Sequence, residues 1–225
     1  MTERTAMRSA TRAAALLCLC LAGCSNLFQS KAKPEQTYYL RAPAAVAAAA
    51  AAPMAASLRV VRPIADPGLD GAHIMLVQAD HRMNFYSGSR WPAPTPEVIE
   101  ALAVQTLRAS GAWASVEGSG SPFPSDYLLH LHVQRFEAEY AEGANAPVVH
   151  VVLDAMVGRR SGRELLAAFT VSGTAAAAAN RLGEVVVAFE QATGTALEAL
   201  SQQTEQAVRA DQPPREIAPG PTARH

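Results

Sequence analysis

Cysteines, aromatic side chains and long apolar runs are all scarce in this sequence. Only 3 of the 225 residues are cysteine, all within the first 24 positions, and aromatic residues account for 6%. The rest of the chain therefore contains no disulfide and must be stabilised by packing alone. Beyond residue 24, no apolar run is long enough to span a bilayer as a helix. The net charge of −1 gives no reason to expect a nucleic-acid partner.

Catalytic motifs are also missing. The sequence has neither a G-x-S-x-G nucleophile motif nor a G-x-x-x-x-G-K-[ST] phosphate loop, and the Gly/Ser stretch at 118–121 is typical of a linker. His130 and His132 would point from one face of a strand and could bind a metal if His150 and Asp154 completed the site. Such alternating polar residues more often mark a solvated or partner-covered sheet face. We therefore predict no catalytic, cofactor-binding or metal-binding residues and no enzymatic activity.

The first 24 residues resemble a bacterial lipoprotein signal. Three arginines precede an apolar run at 13–22 that is too short for a permanent membrane span. The run ends in a lipobox-like sequence, Leu21-Ala22-Gly23-Cys24. The resemblance implies that signal peptidase recognises Leu21, Ala22 and Gly23 and cuts before Cys24, which would carry diacylglycerol and an acyl chain such as palmitate. The alternative is an ordinary secretory signal with an accidental cysteine at its end.

Lipidation at Cys24 would hold the chain on a bilayer essentially permanently, since each buried methylene contributes about 0.8 kcal/mol. The next residue is Ser25, whereas Asp at this position resembles an inner-membrane retention signal. The sequence therefore favours the periplasmic face of the outer membrane. Cleavage would leave 202 residues with 16 basic and 19 acidic side chains, because three arginines and one glutamate are lost with the signal.

Composition divides the chain into four parts. Residues 1–23 form the predicted signal peptide, and residues 24–56 form a lipidated tether followed by an alanine-rich loop. A single domain at 57–209 follows, and the proline-rich residues 210–225 are predicted to be disordered. The tether up to Tyr38 would reach roughly 45 Å when fully extended, so the domain could stand clear of the lipid.

Strand signals are short in the first half of the domain and long in the second. Short strands are predicted at Leu58–Val61, which stops before Pro63, and at His73–Val77 and Met83–Tyr86, which form a hairpin. Three long antiparallel strands are predicted at residues 129–140, 148–157 and 165–171. In the last of these, four apolar residues share one face: Leu165, Ala167, Phe169 and Val171.

The first long strand changes its apolar parity. Leu129, Leu131 and Val133 alternate on one face, but beyond Arg135 the apolar positions shift by one, to Phe136, Ala138 and Tyr140. Since side chains alternate strictly along a strand, this shift predicts a bulge.

Two helices complete the predicted domain. The first has Thr95 as its N-cap, Pro96 in its first turn and Gly111 as its stop. The second runs from about Leu182 to Val208 with one apolar stripe. Trp91, next to Arg90, is interpreted as an anchor between helix and sheet rather than as a ligand contact. The predicted fold class is α+β, a mostly antiparallel sheet with two main helices packed on one face.

Taken in order along the chain, these features resemble the ABC-type transport auxiliary lipoproteins, a family of intermembrane transport lipoproteins. The resemblance rests on the Cys24 anchor, residues 38–40, 58–60 and 68–70, Arg90-Trp91, the Thr95 helix and the closing helix at 189–200. It implies a periplasmic, non-catalytic partner of an intermembrane lipid transporter that has inner-membrane subunits and an MCE-domain protein. It also implies that the chain could form a homo-oligomer around the conduit. The alanine-rich loop and the proline-rich end depart from the family pattern.

Two other functions are consistent with the same sequence. The chain could be a periplasmic lipid-binding shuttle that holds an acyl chain between helices and sheet. It could also be a general envelope-structural lipoprotein without a transport role. Bound lipid would distinguish the shuttle, and an unchanged phospholipid distribution after deletion would distinguish the structural protein.

Overall fold

The computed structural model describes residues 35–43 and 52–212. The predicted lipidation site Cys24 and the recognition residues Leu21, Ala22 and Gly23 lie outside the described residues. In chain order the elements are β1 (Gln36–Thr37), β2 (Met54–Val60), β3 (Ile64–Ala65), β4 (His73–Val77), β5 (Met83–Arg90), α1 (Thr95–Ala109), β6 (Trp113–Glu117), β7 (Tyr127–Glu139), β8 (Val148–Arg159), a 3-10 turn (Ser161–Arg163), β9 (Glu164–Ala176) and α2 (Leu182–Asp211).

The long strand β7 is the centre of the sheet. Along one edge it pairs in parallel with β2, then β3, then β4, so that three short consecutive segments cover a single long strand. Pro63 and the turn at 66–71 separate these segments, because neither can continue a strand. Along its other edge β7 pairs antiparallel with β8, which pairs antiparallel with β9.

The sheet is mixed, so the prediction of a mostly antiparallel sheet is wrong in this respect, although the α+β class is confirmed. Besides the three parallel segments on β7, β2 pairs in parallel with β6, and β1 with β5. The antiparallel pairs are β4–β5, β7–β8 and β8–β9, all of which join neighbours in sequence. Hairpins are visible in a sequence through their turns, whereas these parallel pairs join segments far apart in the chain.

The predicted bulge in β7 is confirmed. The register with β8 shifts between Val133 and Arg135. Leu129 and Val133 before the shift are fully buried, and Ala138 after it is fully buried as well. The extra residue therefore keeps apolar side chains on the core face along the whole strand.

A second register shift corrects the prediction for β9. Val157 pairs with Ala167, but the next residue, Gly158, pairs with Leu165. The extra residue in β9 turns Leu165 to the face opposite Ala167, where its side chain is 60% exposed. Leu165 therefore does not share the core face with Val171, which is buried.

Both helices cover one face of the sheet, as predicted. The helix α2 lies across β8 and β9, while α1 contacts α2, β2 and β6. Thr95 is not the N-cap of α1: Pro94 occupies that position, and the buried Thr95 donates its hydroxyl to the carbonyl oxygen of Gly71 at 3.1 Å. Gly111 does end the helix, with a φ of +67°. Neither helix in the described ranges is both long and apolar enough to cross a bilayer.

The body extends slightly beyond the predicted domain of 57–209. β2 begins at Met54, and Leu40 is buried in the core, although both residues fall in the predicted tether and loop. At the other end α2 continues to Asp211. Asp211 is held there by Arg159 and accepts a hydrogen bond from the Tyr127 hydroxyl at 2.9 Å.

Three aromatic rings form the centre of the core. The ring centroids of Trp91 and Phe189 are 5.2 Å apart, those of Phe136 and Phe189 5.0 Å, and those of Trp91 and Phe136 5.8 Å. Each ring comes from a different element, since Trp91 follows β5, Phe136 lies on β7 and Phe189 on α2. The interpretation of Trp91 as an anchor is confirmed, because its side chain is fully buried.

Candidate binding face

The sheet face opposite the helices has no covering element among the described residues and is the best candidate for a binding site. We call it the open face. It consists of side chains that alternate with the buried core residues of β3, β7, β8 and β9, namely Ile64, Leu128, His130, His132, Asp154, Met156, Leu165, Ala168 and Thr170.

Two adjacent depressions lie on the open face and share His130 and Met156. One, of about 380 Å³, is at the β8–β9 hairpin and is lined by Leu128, Leu165, Glu164 and three arginines. The other, of about 510 Å³, extends toward Ile64. Because the two share residues, they form one continuous surface across the strands.

The end of the open face near β3 is polar, and its groups are already paired. The Nε2 atom of His132 lies 2.8 Å from a carboxylate oxygen of Asp66. Asp154 accepts hydrogen bonds from the Thr170 hydroxyl, at 2.6 Å, and from the side-chain amide of Gln134. Because these side chains already hydrogen-bond to one another, few of their donors and acceptors are left to bind a ligand at this end.

Of the four residues considered for a metal site, His130, His132 and Asp154 are neighbours on the sheet, whereas the fourth is not. His130 lies opposite Met156, and His132 lies opposite Asp154. His150 is farther along β8, opposite Glu137. Within the described ranges no group of three or more His, Cys, Asp or Glu side chains lies close enough to hold a metal ion.

His150 belongs instead to a charged cluster beyond the bulge. The guanidinium of Arg135 donates to Glu137 and to Glu139, each at 2.6 Å, and His150 lies 3.5 Å from Glu139. Burial opposes the charge of Arg135, but the hydrogen bonds to Glu139 and Glu137 outweigh it and raise its pKa. The hydrogen bond from Arg135 also lowers the pKa of Glu139. The charged groups of the cluster are therefore paired with one another, as in structural ion pairs.

The hairpin end of the open face is cationic. Arg159 is engaged by Asp211 and lies 3.2 Å from Glu164. Arg160 and Arg163 line the same depression, but their side chains have no hydrogen bond or ion pair within the described part of the chain. Three arginines within five residues are a signal of this cationic end that is visible in the sequence.

Ser119 of the Gly/Ser stretch is paired with a carboxylate and not with a histidine. The hydroxyl and backbone N–H of Ser119 both donate to Glu100, at 3.0 and 2.7 Å. This contact fixes the loop to α1, and no histidine takes part in it. The arrangement of side chains on the open face can bind an apolar or anionic group.

Comparison with known proteins identifies the family. A family model described as the ABC-type transport auxiliary lipoprotein component matches residues 38–212. The chain belongs to this family. The crystal structure of protein XCC0632 from Xanthomonas campestris is similar to this auxiliary lipoprotein with a TM-score of 0.65 and 25% identity, covering 80% of this chain and 97% of that one.

A second crystal structure, of an uncharacterized protein, matches this auxiliary lipoprotein with a TM-score of 0.60 and 16% identity, covering 76% of this chain and 99% of the other. This similarity concerns the fold alone. No curated protein sequence matches the chain. The family match contains both helices and the entire open face, whereas the predicted lipidation site Cys24 precedes it.

Proposed function

We propose that this auxiliary lipoprotein is anchored through Cys24 at the periplasmic face of the outer membrane and is a non-catalytic component of an MCE-type intermembrane lipid transport system. The family match over residues 38–212 is the observation that supports it. Energy for transport and movement of the lipid would be supplied by the inner-membrane subunits and the MCE-domain protein. The chain would contribute to outer-membrane integrity as an adaptor.

The geometry is consistent with an adaptor on a tether. The chain enters the described body at Glu35, which leaves about ten residues after Cys24, or roughly 35 Å when extended. Both helices occupy one side of the sheet, so the open face is available for docking. β9 pairs only with β8 among the described strands, so its outer edge can also accept a partner strand.

The experiment that tests this proposal is membrane fractionation combined with crosslinking in cells and identification of the captured proteins. Wild type is expected to float with the outer membrane and to capture an MCE-domain protein. Cys24→Ala is expected to lose the outer-membrane fraction, because the thiol that carries the lipid is gone. Cys18→Ala is the matched control, since it removes a cysteine of the signal and leaves the lipobox intact.

Two results would contradict the proposal. If Cys24→Ala fractionates as wild type does, Cys24 is not the anchor. If wild type captures no MCE-domain protein although that protein is present in the same cells, the adaptor role is wrong. Ser25→Asp tests the sorting step, and it is expected to move the protein to the inner-membrane fraction.

A periplasmic lipid-binding shuttle is the second candidate function, and the open face is the observation that favours it. Large apolar side chains are exposed there, including Met156 at 50% and Leu165 at 60%. An apolar surface of this kind can hold an acyl chain, here on the face opposite the helices and not between helices and sheet, where the core is packed. Adaptor and lipid carrier are compatible roles if the open face binds the transported lipid.

A further inference from the structure

The open face contains an apolar strip. It crosses three rows, each row being the set of residues that lie opposite one another on neighbouring strands. Leu165 lies in the row nearest the hairpin, Met156 in the next and Ile64 in the third, with Ile64 64% exposed. Adjacent rows on one face are about 7 Å apart, and the three residues also lie on different strands, so the strip runs diagonally over about 20 Å. Between Met156 and Ile64 it crosses β7 at His130 and His132. Exposed apolar groups concentrated in this way mark a binding surface rather than scattered surface residues.

The two arginines at the hairpin end of this strip differ from all others in the described part of the chain. Every other arginine there contacts a carboxylate or a backbone carbonyl, as in the pairs Arg41–Glu190 and Arg181–Glu184. Arg160 and Arg163 have no such partner within these residues. Two guanidinium groups are therefore free to bind an anion immediately beside the apolar strip.

The backbone at Arg163 supports a functional role for its side chain. Arg163 has a φ of +55°, in the left-handed region that favours glycine, and it directly follows Gly162 at +79°. A non-glycine residue in this conformation costs about 1 kcal/mol or more. Glycine or asparagine would adopt this conformation with less strain. The presence of arginine is therefore consistent with a binding role for its guanidinium group.

We propose that the open face binds one phospholipid, with an acyl chain along the strip of Leu165, Met156 and Ile64 and the phosphate against Arg160 and Arg163. An apolar strip that ends at two free guanidinium groups matches a molecule with an apolar chain and an anionic head. The backbone groups of β7 and β8 are used by the sheet, so an extended peptide lying on the open face, away from the β9 edge, would find few backbone partners. The choice of a phospholipid as the anionic ligand rests on the proposed transport function.

The test uses the full chain, purified in detergent, and phosphatidylglycerol with a photoactivatable diazirine in its acyl chain. Peptide mass spectrometry is expected to locate the label on the segments that contain Met156 and Leu165. Arg160→Gln with Arg163→Gln is expected to weaken labelling about tenfold, because two charge-assisted contacts to phosphate are lost. A diazirine-bearing diacylglycerol, which lacks the phosphate, is expected to label wild type more weakly by a similar factor.

Matched controls separate the site from general effects of charge and hydrophobicity. Arg41→Gln with Arg181→Gln removes the same charge elsewhere on the surface and is expected to leave labelling unchanged. Met156→Gln with Leu165→Gln is expected to lower labelling, whereas Val187→Gln with Tyr39→Gln, also at exposed apolar positions, is not. All these side chains are solvent-exposed, so the variants should fold.

Three outcomes would overturn the inference. They are equal labelling of wild type and the two site variants, equal labelling by phosphatidylglycerol and diacylglycerol, and site variants that keep lipid labelling but lose the MCE-domain protein in cells. The last would show that the open face docks a protein. If phosphatidylglycerol labels the site but wild type captures no MCE-domain protein in cells, the proposed adaptor role is wrong and the lipid site is supported.

Discussion

Gly173 in β9 lies directly against the backbone of Ala192 in α2. A Cβ atom placed on Gly173 would come within 1.9 Å of the Ala192 carbonyl oxygen and 3.1 Å of the Ala196 backbone nitrogen. Only glycine allows this approach, and it brings the helix onto the strand where both are buried. The contact sets the distance between α2 and the sheet beside the aromatic core.

Gly173→Ala is therefore expected to push α2 away from β9. The cost should be about 1–3 kcal/mol in the free energy of unfolding, which is typical of overpacking, measured by chemical denaturation. The control is Gly183→Ala in the first turn of α2, where an added Cβ meets no atom within 4 Å. That variant should be neutral or slightly stabilising, and a neutral result for Gly173→Ala would contradict the contact.

Phe189→Ala should be strongly destabilising. Phe189 contacts both Trp91 and Phe136 and is fully buried, so its removal leaves a cavity at the centre of the core. The expected loss is about 3–5 kcal/mol in the free energy of unfolding. Val187→Ala, on the same helix but 51% exposed, should change it by less than about 0.5 kcal/mol. Similar losses in both variants would show that Phe189 is not central to the core.

Asp126 should contribute to the pH dependence of stability. Its carboxylate accepts hydrogen bonds from the Ser57 hydroxyl at 2.7 Å and the Ser57 backbone N–H at 2.9 Å. These two bonds outweigh partial burial and lower the pKa of Asp126 below its ordinary 3.8. A lowered pKa means that this stabilisation is complete above pH 3.8 and is lost as the pH falls through the folded value.

Asp126→Asn is expected to lower the free energy of unfolding at pH 7 by about 0.5–1 kcal/mol, a modest value because the site is exposed. The variant and wild type should converge as the pH falls below 3.8, in denaturation measured over a pH series. Glu142→Gln, an exposed position without a hydrogen bond or ion pair to any described residue, is the control. A constant difference at every pH would refute the role of the Asp126 carboxylate.

The end of α2 should depend on Asp211. Hydrogen bonds from Arg159, together with one from Tyr127, outweigh burial and lower the pKa of Asp211. Asp211→Asn should weaken this attachment and increase amide hydrogen exchange in the last turn of α2, with a small effect on global stability. Glu198→Gln, in the middle of the same helix, should not change exchange at the helix end. Unchanged exchange in Asp211→Asn would show that the Arg159 contact does not hold the terminus.

The strand β7 and its bulge could be predicted because both depend on the pattern of neighbouring residues in the sequence. The alternation of Leu129, Leu131 and Val133, and the parity shift near Arg135, follow from a side-chain period of two, and the structure has a bulge there. The same reasoning was wrong for Leu165. The second register shift lies at the hairpin end of β9. Leu165, Leu166 and Ala167 are all apolar there, so the sequence shows no alternation from which an extra residue could be recognised.

The candidate site was predicted only in part. Alternating polar residues correctly marked His130 and His132 as one face of a strand. The neighbours of these histidines could not be deduced, because they depend on the register between strands. His150 proved to lie beside Glu139 rather than in their row, and Arg160 and Arg163 meet Met156 and Leu165 only through the β8–β9 hairpin.

By itself, the sequence determined the features that depend on neighbouring residues: the two helices, the hairpins, the long strands, the bulge in β7 and the family resemblance. Only the tertiary structure decided the parallel pairing of β2, β3 and β4 with β7, the orientation of Leu165 and the position of the free arginines at the end of an apolar strip. The physical reason is the distance along the chain over which each interaction acts. Periodicity and turn chemistry act within a few residues, whereas strand register and helix-to-sheet contacts, such as Gly173 against Ala192, join parts of the chain that only folding brings together.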